Sequence, residues 1–154
     1  MPAAEVTIRP ARQHDAVAAA ACVTAAYELY LPRMGVRPAP MLADYAALIA
    51  AGHVWVLVED NALRGLIVLI AEPDHLFIEN VAVQPEAQGR GYGRRLLDFA
   101  DAEARRLRLP ELRLYTNELM TENLGLYAHL GYVEVDRRLD GGYRRVFMVK
   151  RLSA

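Results

Sequence analysis

The sequence predicts a mixed α/β domain in which about four helices flank a central, mostly antiparallel, twisted sheet. Short apolar runs alternate with stretches of helical spacing in the order β-α-α-β-β-β-α-β-α-β-β. Three successive strands within residues 53–83 are joined by turns, which favours an antiparallel meander. A helical crossover then leads to the next strand, and such a unit is parallel. At 154 residues, the chain is expected to form one domain, 1–154.

The first third of the chain predicts one strand and two helices. Residues 6–9 alternate apolar and polar and form a strand that Pro10 closes. The alanine-rich stretch 12–30 is predicted to be helical. Residues 31–41 contain three prolines and a glycine, which predicts a loop. A second helix is predicted at 41–50.

The rest of the chain predicts six strands and two helices. Strands are expected at 53–58 and 63–71, with a hairpin turn at 59–62, and at 75–83. A helix begins at Arg94, where the apolar residues take up helical spacing, and ends near Pro110. A strand at 111–116, a helix at 120–130 and strands at 132–138 and 143–150 complete the pattern.

Composition excludes several classes of protein. Hydrophobic residues make up 54% of the chain and the net charge is −1, so the chain is globular and has no overall attraction to nucleic acid or anionic membranes. Its one cysteine, Cys22, forms no internal disulfide and is expected to be a core residue. No apolar run approaches ~18 residues. We therefore expect a cytoplasmic protein without membrane or nucleic-acid partners. The four histidines lack ligand spacing, so no metal site is predicted.

A glycine-rich loop follows the strand at 75–83. Pro85 stops that strand, and Gly89, Gly91 and Gly93 precede the helix. The first N–H groups of a helix have no partner within the helix and face the positive end of its dipole, so they attract anions such as phosphate. Arg90 and the pair at 94–95 add positive charge. An ordinary glycine-rich turn is the alternative interpretation.

The spacing selects among phosphate-binding loops. A P-loop requires Lys-Ser or Lys-Thr after the glycines, and a dinucleotide fingerprint requires its third glycine at the position of Arg94, so neither fits. The pattern Gln88-x-x-Gly91-x-Gly93 resembles the pyrophosphate-binding signature of the GNAT acetyltransferase superfamily. The resemblance implies acetyl-CoA as cosubstrate. It assigns binding of this cosubstrate to Val81, Ala82, Val83, Gln88, Gly89, Arg90, Gly91, Tyr92, Gly93 and Arg94.

A second segment, residues 115–132, extends the resemblance. Leu126-Tyr127 and Gly131-Tyr132 match the spacing of a common GNAT pattern. The asparagine of that pattern, which contacts the pantetheine, would fall at Met120. Its role is left to Asn117 or Asn123, and the sequence does not choose between them. By the same resemblance, Tyr127 also contacts the cosubstrate.

The resemblance implies roles for three groups in acetyl transfer. Tyr127 is expected to be the general acid for the leaving thiolate, and the Val81 N–H an oxyanion donor. Glu79, on the strand before the loop, is the candidate base, because an ionised residue in a buried strand is costly unless it is paired or used. The alternative is a Glu79 that faces solvent or pairs with an arginine.

The acceptor side is less defined. In GNAT proteins the first two helices and their connection form one wall of the acceptor site, which implies contacts from Tyr27, Tyr30 and Met34. A plain helix connection with packed tyrosines is the alternative.

Three hypotheses for the function follow. The first is an N-acetyltransferase that acts on a primary amine of a small molecule, an amino acid or a peptide or protein N-terminus, by direct attack in a ternary complex. The second is a non-catalytic acyl-CoA-binding or sensing module. The third, nucleic-acid binding through arginines at 137, 138, 144 and 145, is disfavoured, because these residues fit a solvated strand edge. A homodimer formed by pairing at a strand edge is also compatible with the sequence.

Overall fold

The computed structural model describes residues 5–153. Its elements follow the predicted order, with one additional short helix, α2, before β2. They are β1 (Val6–Pro10), α1 (Ala16–Tyr27), α2 (Leu31–Met34), α3 (Tyr45–Ala50), β2 (Val54–Glu59), β3 (Ala62–Ala71), β4 (Leu76–Val83), α4 (Tyr92–Arg106), β5 (Glu111–Asn117), α5 (Thr121–His129), β6 (Val133–Asp140) and β7 (Tyr143–Arg151).

The seven strands of the described residues form one sheet in the order β1-β2-β3-β4-β5-β7-β6. The pairs β1–β2, β2–β3, β5–β7 and β6–β7 are antiparallel. β4 and β5 pair in parallel, with Leu76–Ile78 opposite Leu112–Leu114. The predicted fold class, a mixed sheet with mostly antiparallel strands, is therefore confirmed. Within residues 5–153, no helix is both long and apolar enough to cross a membrane.

The chain divides into two compact units. The first runs up to Leu69 and includes Asn80–Phe99, and the second comprises Ile70–Glu79 and the chain from Ala100 onward. Each unit has its own buried apolar residues. In the first these include Val23, Val56, Leu57, Leu66 and Leu96, and in the second Leu76, Leu112, Val146 and Met148. A single domain over 1–154 stays a prediction.

The structure corrects the prediction around the first two helices. Part of the predicted loop at 31–41 forms α2, because Pro32 lies in its first turn, where a proline is tolerated. Gly35 then ends α2 with a φ of 71°. The second helix begins at Tyr45 rather than at 41, because Asp44 caps it and accepts a hydrogen bond from the Ala47 N–H at 3.1 Å.

The hairpin between β2 and β3 is tighter than predicted. Asp60 and Asn61 have φ values of 49° and 69°, as in a two-residue type I′ turn. Glu59 therefore belongs to β2 instead of the turn, and only 7% of it is exposed. A buried carboxylate at this position needs partners.

Candidate active site

The glycine-rich loop has the backbone that its residues suggest. Gly89 and Gly91 have φ values of 84° and 79°, which favour glycine. The Arg95 N–H donates to the Gly91 carbonyl at 3.0 Å, and α4 begins at Tyr92, two residues before the predicted start. A Cβ added at Gly89 or Gly91 would meet nothing within 4 Å. Backbone conformation therefore explains these glycines, and open space beside them leaves room for a phosphate group.

Gln88 turns back onto the strand that precedes the loop. Its Nε2 donates to the Val83 carbonyl at 3.1 Å. One short 3-10 turn, Pro85–Ala87, leads to it, and Ala87 is buried. The side chain of Gln88 therefore helps to hold the loop against the end of β4.

Glu59 holds the loop from the other side. The Arg90 Nη1 lies 3.1 Å from both carboxylate oxygens, and the Tyr92 hydroxyl donates a hydrogen bond to Oε2. The Arg64 Nε lies 3.4 Å from Oε1. The hydrogen bond from Tyr92 and the charge of Arg90 hold the pKa of Glu59 below its usual value. We call Glu59, Arg64, Arg90 and Tyr92 the loop clamp.

Sequence reasoning missed the loop clamp. It assigned Glu59 to a turn and treated Arg90 as a positive charge for the ligand alone. Glu59 and Arg90 are 31 residues apart, so no local pattern joins them. Recognition of Asp60-Asn61 as a two-residue turn would have placed Glu59 on the strand, although not beside Arg90.

Asn80 forms a second buried contact within the first unit. It is 5% exposed, and its Oδ1 accepts from the Tyr27 hydroxyl at 2.7 Å. Its Nδ2 donates to the Tyr45 hydroxyl at 3.0 Å, and that hydroxyl donates to the Pro40 carbonyl at 2.6 Å. The Tyr27 hydroxyl also lies 3.3 Å from the Val81 carbonyl. We call Tyr27, Asn80, Tyr45 and the Pro40 carbonyl the polar relay.

The residues predicted for the acceptor wall lie in the first unit. Tyr27 and Tyr30 are 6% and 5% exposed, and their rings are 6.1 Å apart. The Arg33 guanidinium lies over the Tyr30 ring at 5.3 Å, while Met34 is half-buried. Both tyrosines therefore pack inside the unit, and contact of these three residues with an acceptor stays a prediction.

Glu79 belongs to the second unit. Along β4, residues with buried side chains alternate with half-buried ones, and Glu79 is half-buried. Its Oε2 is nevertheless buried and has no hydrogen-bond partner among residues 5–153. The role of Glu79, as a base, a solvent-facing carboxylate or a partner of an arginine, stays a prediction.

Tyr127 and the two asparagines also lie in the second unit. Tyr127 is on α5, 5% exposed, with its ring 5.8 Å from that of Tyr132. Asn117 accepts from the Leu119 N–H at 2.9 Å and so caps the turn after β5. The Asn123 Nδ2 lies 3.9 Å from the Met120 sulfur, and Met120 is 4% exposed. Met120 thus occupies the pattern's asparagine position as a packing residue.

Cys22 has no nucleophilic character in this fold. It is fully buried in α1, and burial raises the pKa of its thiol to about 12. The thiolate that would attack a thioester is therefore absent at neutral pH. Direct transfer without an enzyme thioester, as predicted, is consistent with this finding.

The arginines considered for nucleic-acid binding have acidic partners. Arg137 pairs with Glu134 at 2.7 Å, and Arg144 lies 3.7 Å from Glu118. Arg138 pairs with Asp136, and Arg145 pairs with Asp140 at 3.1 Å. Such pairs fit the interpretation as a solvated strand edge.

Comparison with known proteins identifies the family. The family model for the acetyltransferase (GNAT) domain matches residues 50–134, which include the glycine-rich loop, Glu79 and Tyr127. The chain belongs to the GNAT acetyltransferase family. The predicted family and enzyme class, an acyltransferase, are thereby confirmed, and acetyl-CoA is the cosubstrate that the GNAT signature implies.

One curated relative is similar over part of the chain. N-alpha-acetyltransferase 80 of Mus musculus is 39% identical over 64 residues, which are 42% of this chain and 19% of that protein. The match thus spans about a fifth of the length of the relative.

Two solved GNAT structures have the same fold. The PaiA N-acetyltransferase of Thermoplasma acidophilum, in complex with coenzyme A, has a TM-score of 0.82 at 17% identity and matches 96% of this chain and 99% of its own. Arabidopsis thaliana Naa50, in complex with the bisubstrate analogue CoA-Ac-MVNAL, has a TM-score of 0.74 at 18% identity, with 96% and 99% covered.

Proposed function

We propose that the protein transfers the acetyl group of acetyl-CoA to a primary amine, by direct attack of the amine on the thioester. The observation that carries the proposal is the loop at Gly89 and Gly91, whose left-handed glycines lead into α4 and leave open space beside the backbone. The loop's N–H groups would bind the pyrophosphate of acetyl-CoA. The loop clamp would hold this backbone in place.

The reaction needs two proton transfers and one stabilised oxyanion. The attacking amine loses a proton as its nitrogen bonds to the acetyl carbon, and Glu79 would accept that proton. The Val81 N–H would stabilise the oxyanion. The carbon–sulfur bond then breaks, and Tyr127 would give a proton to the leaving thiolate. The products are the acetylated amine and CoA with a free thiol.

An unpartnered oxygen supports Glu79 as the base. A buried carboxylate oxygen without a hydrogen bond is costly to retain, and such atoms are concentrated at functional sites. Burial of Tyr127 next to Tyr132 supports a fixed orientation of its ring for proton donation. Asn117 or Asn123 would contact the pantetheine. Asn117 also caps a turn, so Asn123 on α5 is the better candidate.

Among the three classes of acceptor, we favour a peptide or protein N-terminus. The curated relative is named an N-alpha-acetyltransferase, and Naa50 was solved with an analogue that joins CoA to a pentapeptide. Small-molecule amines and free amino acids are the remaining classes. The acceptor would contact the wall formed by Tyr27, Tyr30 and Met34.

A two-stage experiment tests the proposal. Thermal unfolding is first followed with acetyl-CoA, CoA and NAD, and ligand at a hundred times Kd is expected to add about 2.7 kcal/mol of stability with the first two only. Release of CoA thiol is then measured with a panel of N-terminal peptides, amino acids and polyamines. Binding without turnover on any amine would favour the sensing module. Absence of binding would refute both functions.

The partner and location predictions remain to be measured. β6 is the last strand of the sheet and exposes Val133, Val135 and Leu139, which favours a homodimer. A bulge between Glu134 and Asp136 disfavours direct pairing of this edge. Light scattering over a concentration series decides between monomer and dimer. Cell fractionation tests the cytoplasmic location.

A further inference from the structure

We propose that Asn80 is a positioning residue that couples the acceptor wall to the backbone of β4 through the polar relay. The inference rests on the proposed function, because it assigns the relay a role in the same reaction. All members of the relay lie in the first unit. None of them except Tyr27 was a candidate site residue from the sequence, and Tyr27 was considered for direct substrate contact.

The relay has one consistent donor direction. Tyr45 uses its hydroxyl proton on the Pro40 carbonyl at 2.6 Å, so its oxygen accepts from the Asn80 Nδ2. The Asn80 Oδ1 is then left to accept from the Tyr27 hydroxyl at 2.7 Å. A flipped amide would require Tyr45 to donate to two acceptors with one proton. The orientation of Asn80 therefore depends on the position of the Pro40 carbonyl.

Each end of the relay contacts a backbone segment with a role in the proposed reaction. Pro40 lies in the 3-10 turn Ala39–Leu42, which follows α2 and the fully buried Pro38. At the other end, Asn80 directly precedes Val81, whose carbonyl lies 3.3 Å from the Tyr27 hydroxyl. A shift of the turn would thus change the hydrogen bonds beside the residue proposed to bind the oxyanion.

The chemistry of the relay favours positioning over stability. Replacing both partners of a buried polar pair by apolar groups of similar shape is often nearly neutral, so such groups are not required for a stable core. A fully satisfied buried polar network instead restricts the core to one arrangement. Acceptor binding against the 3-10 turn would therefore be coupled to the geometry at Val81.

Two variants and their combination test the coupling. Tyr45→Phe removes the hydroxyl between Asn80 and Pro40, and Asn80→Leu removes the amide. Each variant removes two hydrogen bonds of the relay. With the acceptor found in the amine panel, each is expected to raise the acceptor KM or lower kcat by about fivefold. The affinity for acetyl-CoA should change less than the acceptor kinetics, because most of the residues assigned to the cosubstrate lie in the glycine-rich loop. In the double variant, the loss of acceptor kcat/KM, expressed as a free energy, should be smaller than the sum of the losses in the single variants, because both substitutions break the same relay.

The matched control is Asp44→Ala. Asp44 precedes Tyr45 and caps α3, and its side chain accepts a hydrogen bond from the Ala47 N–H. Its removal therefore loosens the same segment while the hydrogen-bonding groups of the relay are retained. It is expected to lower Tm as much as Tyr45→Phe while leaving the acceptor KM unchanged. The inference would be overturned if Asp44→Ala changed the acceptor kinetics as much as Tyr45→Phe does. Additive effects of Tyr45→Phe and Asn80→Leu would also overturn it.

Amide hydrogen exchange gives a readout that does not depend on turnover. In Tyr45→Phe, exchange is expected to rise by about threefold or more in peptides covering residues 38–44 and residues 80–84. In Asp44→Ala it should rise in the first segment only. Unchanged exchange at 80–84 in Tyr45→Phe would refute the coupling. A wild-type protein that binds acetyl-CoA but acetylates no amine would refute the proposed function, while the exchange result would still decide whether the relay couples the two segments.

Discussion

The Arg90 guanidinium lies 3.1 Å from both carboxylate oxygens of Glu59, although Arg90 belongs to the loop assigned to the pyrophosphate. The arginine is therefore partly neutralised, and its main effect is to hold the loop. A positive charge at an anion site can have two roles: it can attract the ligand, or it can orient the backbone of the loop. Variants of Glu59 distinguish these roles.

Glu59→Gln is expected to weaken binding of acetyl-CoA by about three- to tenfold, because a lost charged hydrogen bond leaves the loop less ordered. The measurement is calorimetric titration. Glu86→Gln is the control, because Glu86 is an exposed acid in the adjoining 3-10 turn. If charge alone mattered, both variants would bind more tightly.

The left-handed conformation of Gly91 predicts that any side chain at this position lowers the stability of the fold. Gly91→Ala forces alanine to a φ of 79° and is expected to lower the free energy of unfolding by about 1–2 kcal/mol. It should also weaken acetyl-CoA binding. Gly125→Ala is the control, because Gly125 lies in α5 without a left-handed φ and has open space around it. That change should stabilise the protein by about 0.5–1 kcal/mol.

Tyr127→Phe tests the general acid. Loss of the hydroxyl removes the proton donor and keeps the buried ring, so kcat is expected to fall by about 100-fold. The acetyl-CoA affinity should change little. Tyr143→Phe in β7 serves as a control for loss of a tyrosine hydroxyl. Wild-type kcat in Tyr127→Phe would exclude this role.

Glu79→Gln tests the base. The amide keeps the shape of the side chain and cannot accept the proton of the amine, so kcat/KM is expected to fall by about 100-fold at neutral pH. Activity should recover in part as the pH approaches the pKa of the amine, because free amine then becomes abundant. A pH–rate profile identical to that of the wild type would remove Glu79 from the mechanism.

Asp15 gives a pH-dependent contribution to stability. It accepts from Arg9 at 2.8 Å and from the Arg12 N–H at 2.7 Å, and the Arg9 hydrogen bond holds its pKa below the usual value. A lowered pKa stabilises the fold above the unfolded-state pKa of about 3.9, and this contribution is lost as the pH falls through the folded-state pKa. Asp15→Asn should therefore cost about 1–2 kcal/mol at pH 7.

In acid, the melting temperatures of Asp15→Asn and the wild type are expected to converge. Asp98→Asn is the control, because Asp98 is 63% exposed and 4.0 Å from Arg94. Its effect at pH 7 should stay below about 0.5 kcal/mol. A constant difference between Asp15→Asn and the wild type from pH 7 to pH 3 would contradict the assignment.

Local patterns predicted most of the fold because strands and turns depend on neighbouring residues. An apolar run located β4, and the glycine spacing located the loop whose positive φ values the structure shows. The loop clamp and the polar relay were not predictable in this way. Their hydrogen bonds join residues 31, 35 and 53 positions apart, and only the sheet brings these side chains together. α4 begins earlier than predicted, at Tyr92, and the Gly91 carbonyl accepts a hydrogen bond from the Arg95 N–H.

The burial of Cys22 has a practical consequence for spectroscopy. The sequence contains no other cysteine, and this thiol is fully buried, with a pKa that burial raises to about 12. A cysteine introduced by Glu86→Cys would therefore take up a maleimide dye at a single place, with every native residue elsewhere retained. Fluorescence from that position would follow the loop in real time as cosubstrate arrives and product leaves.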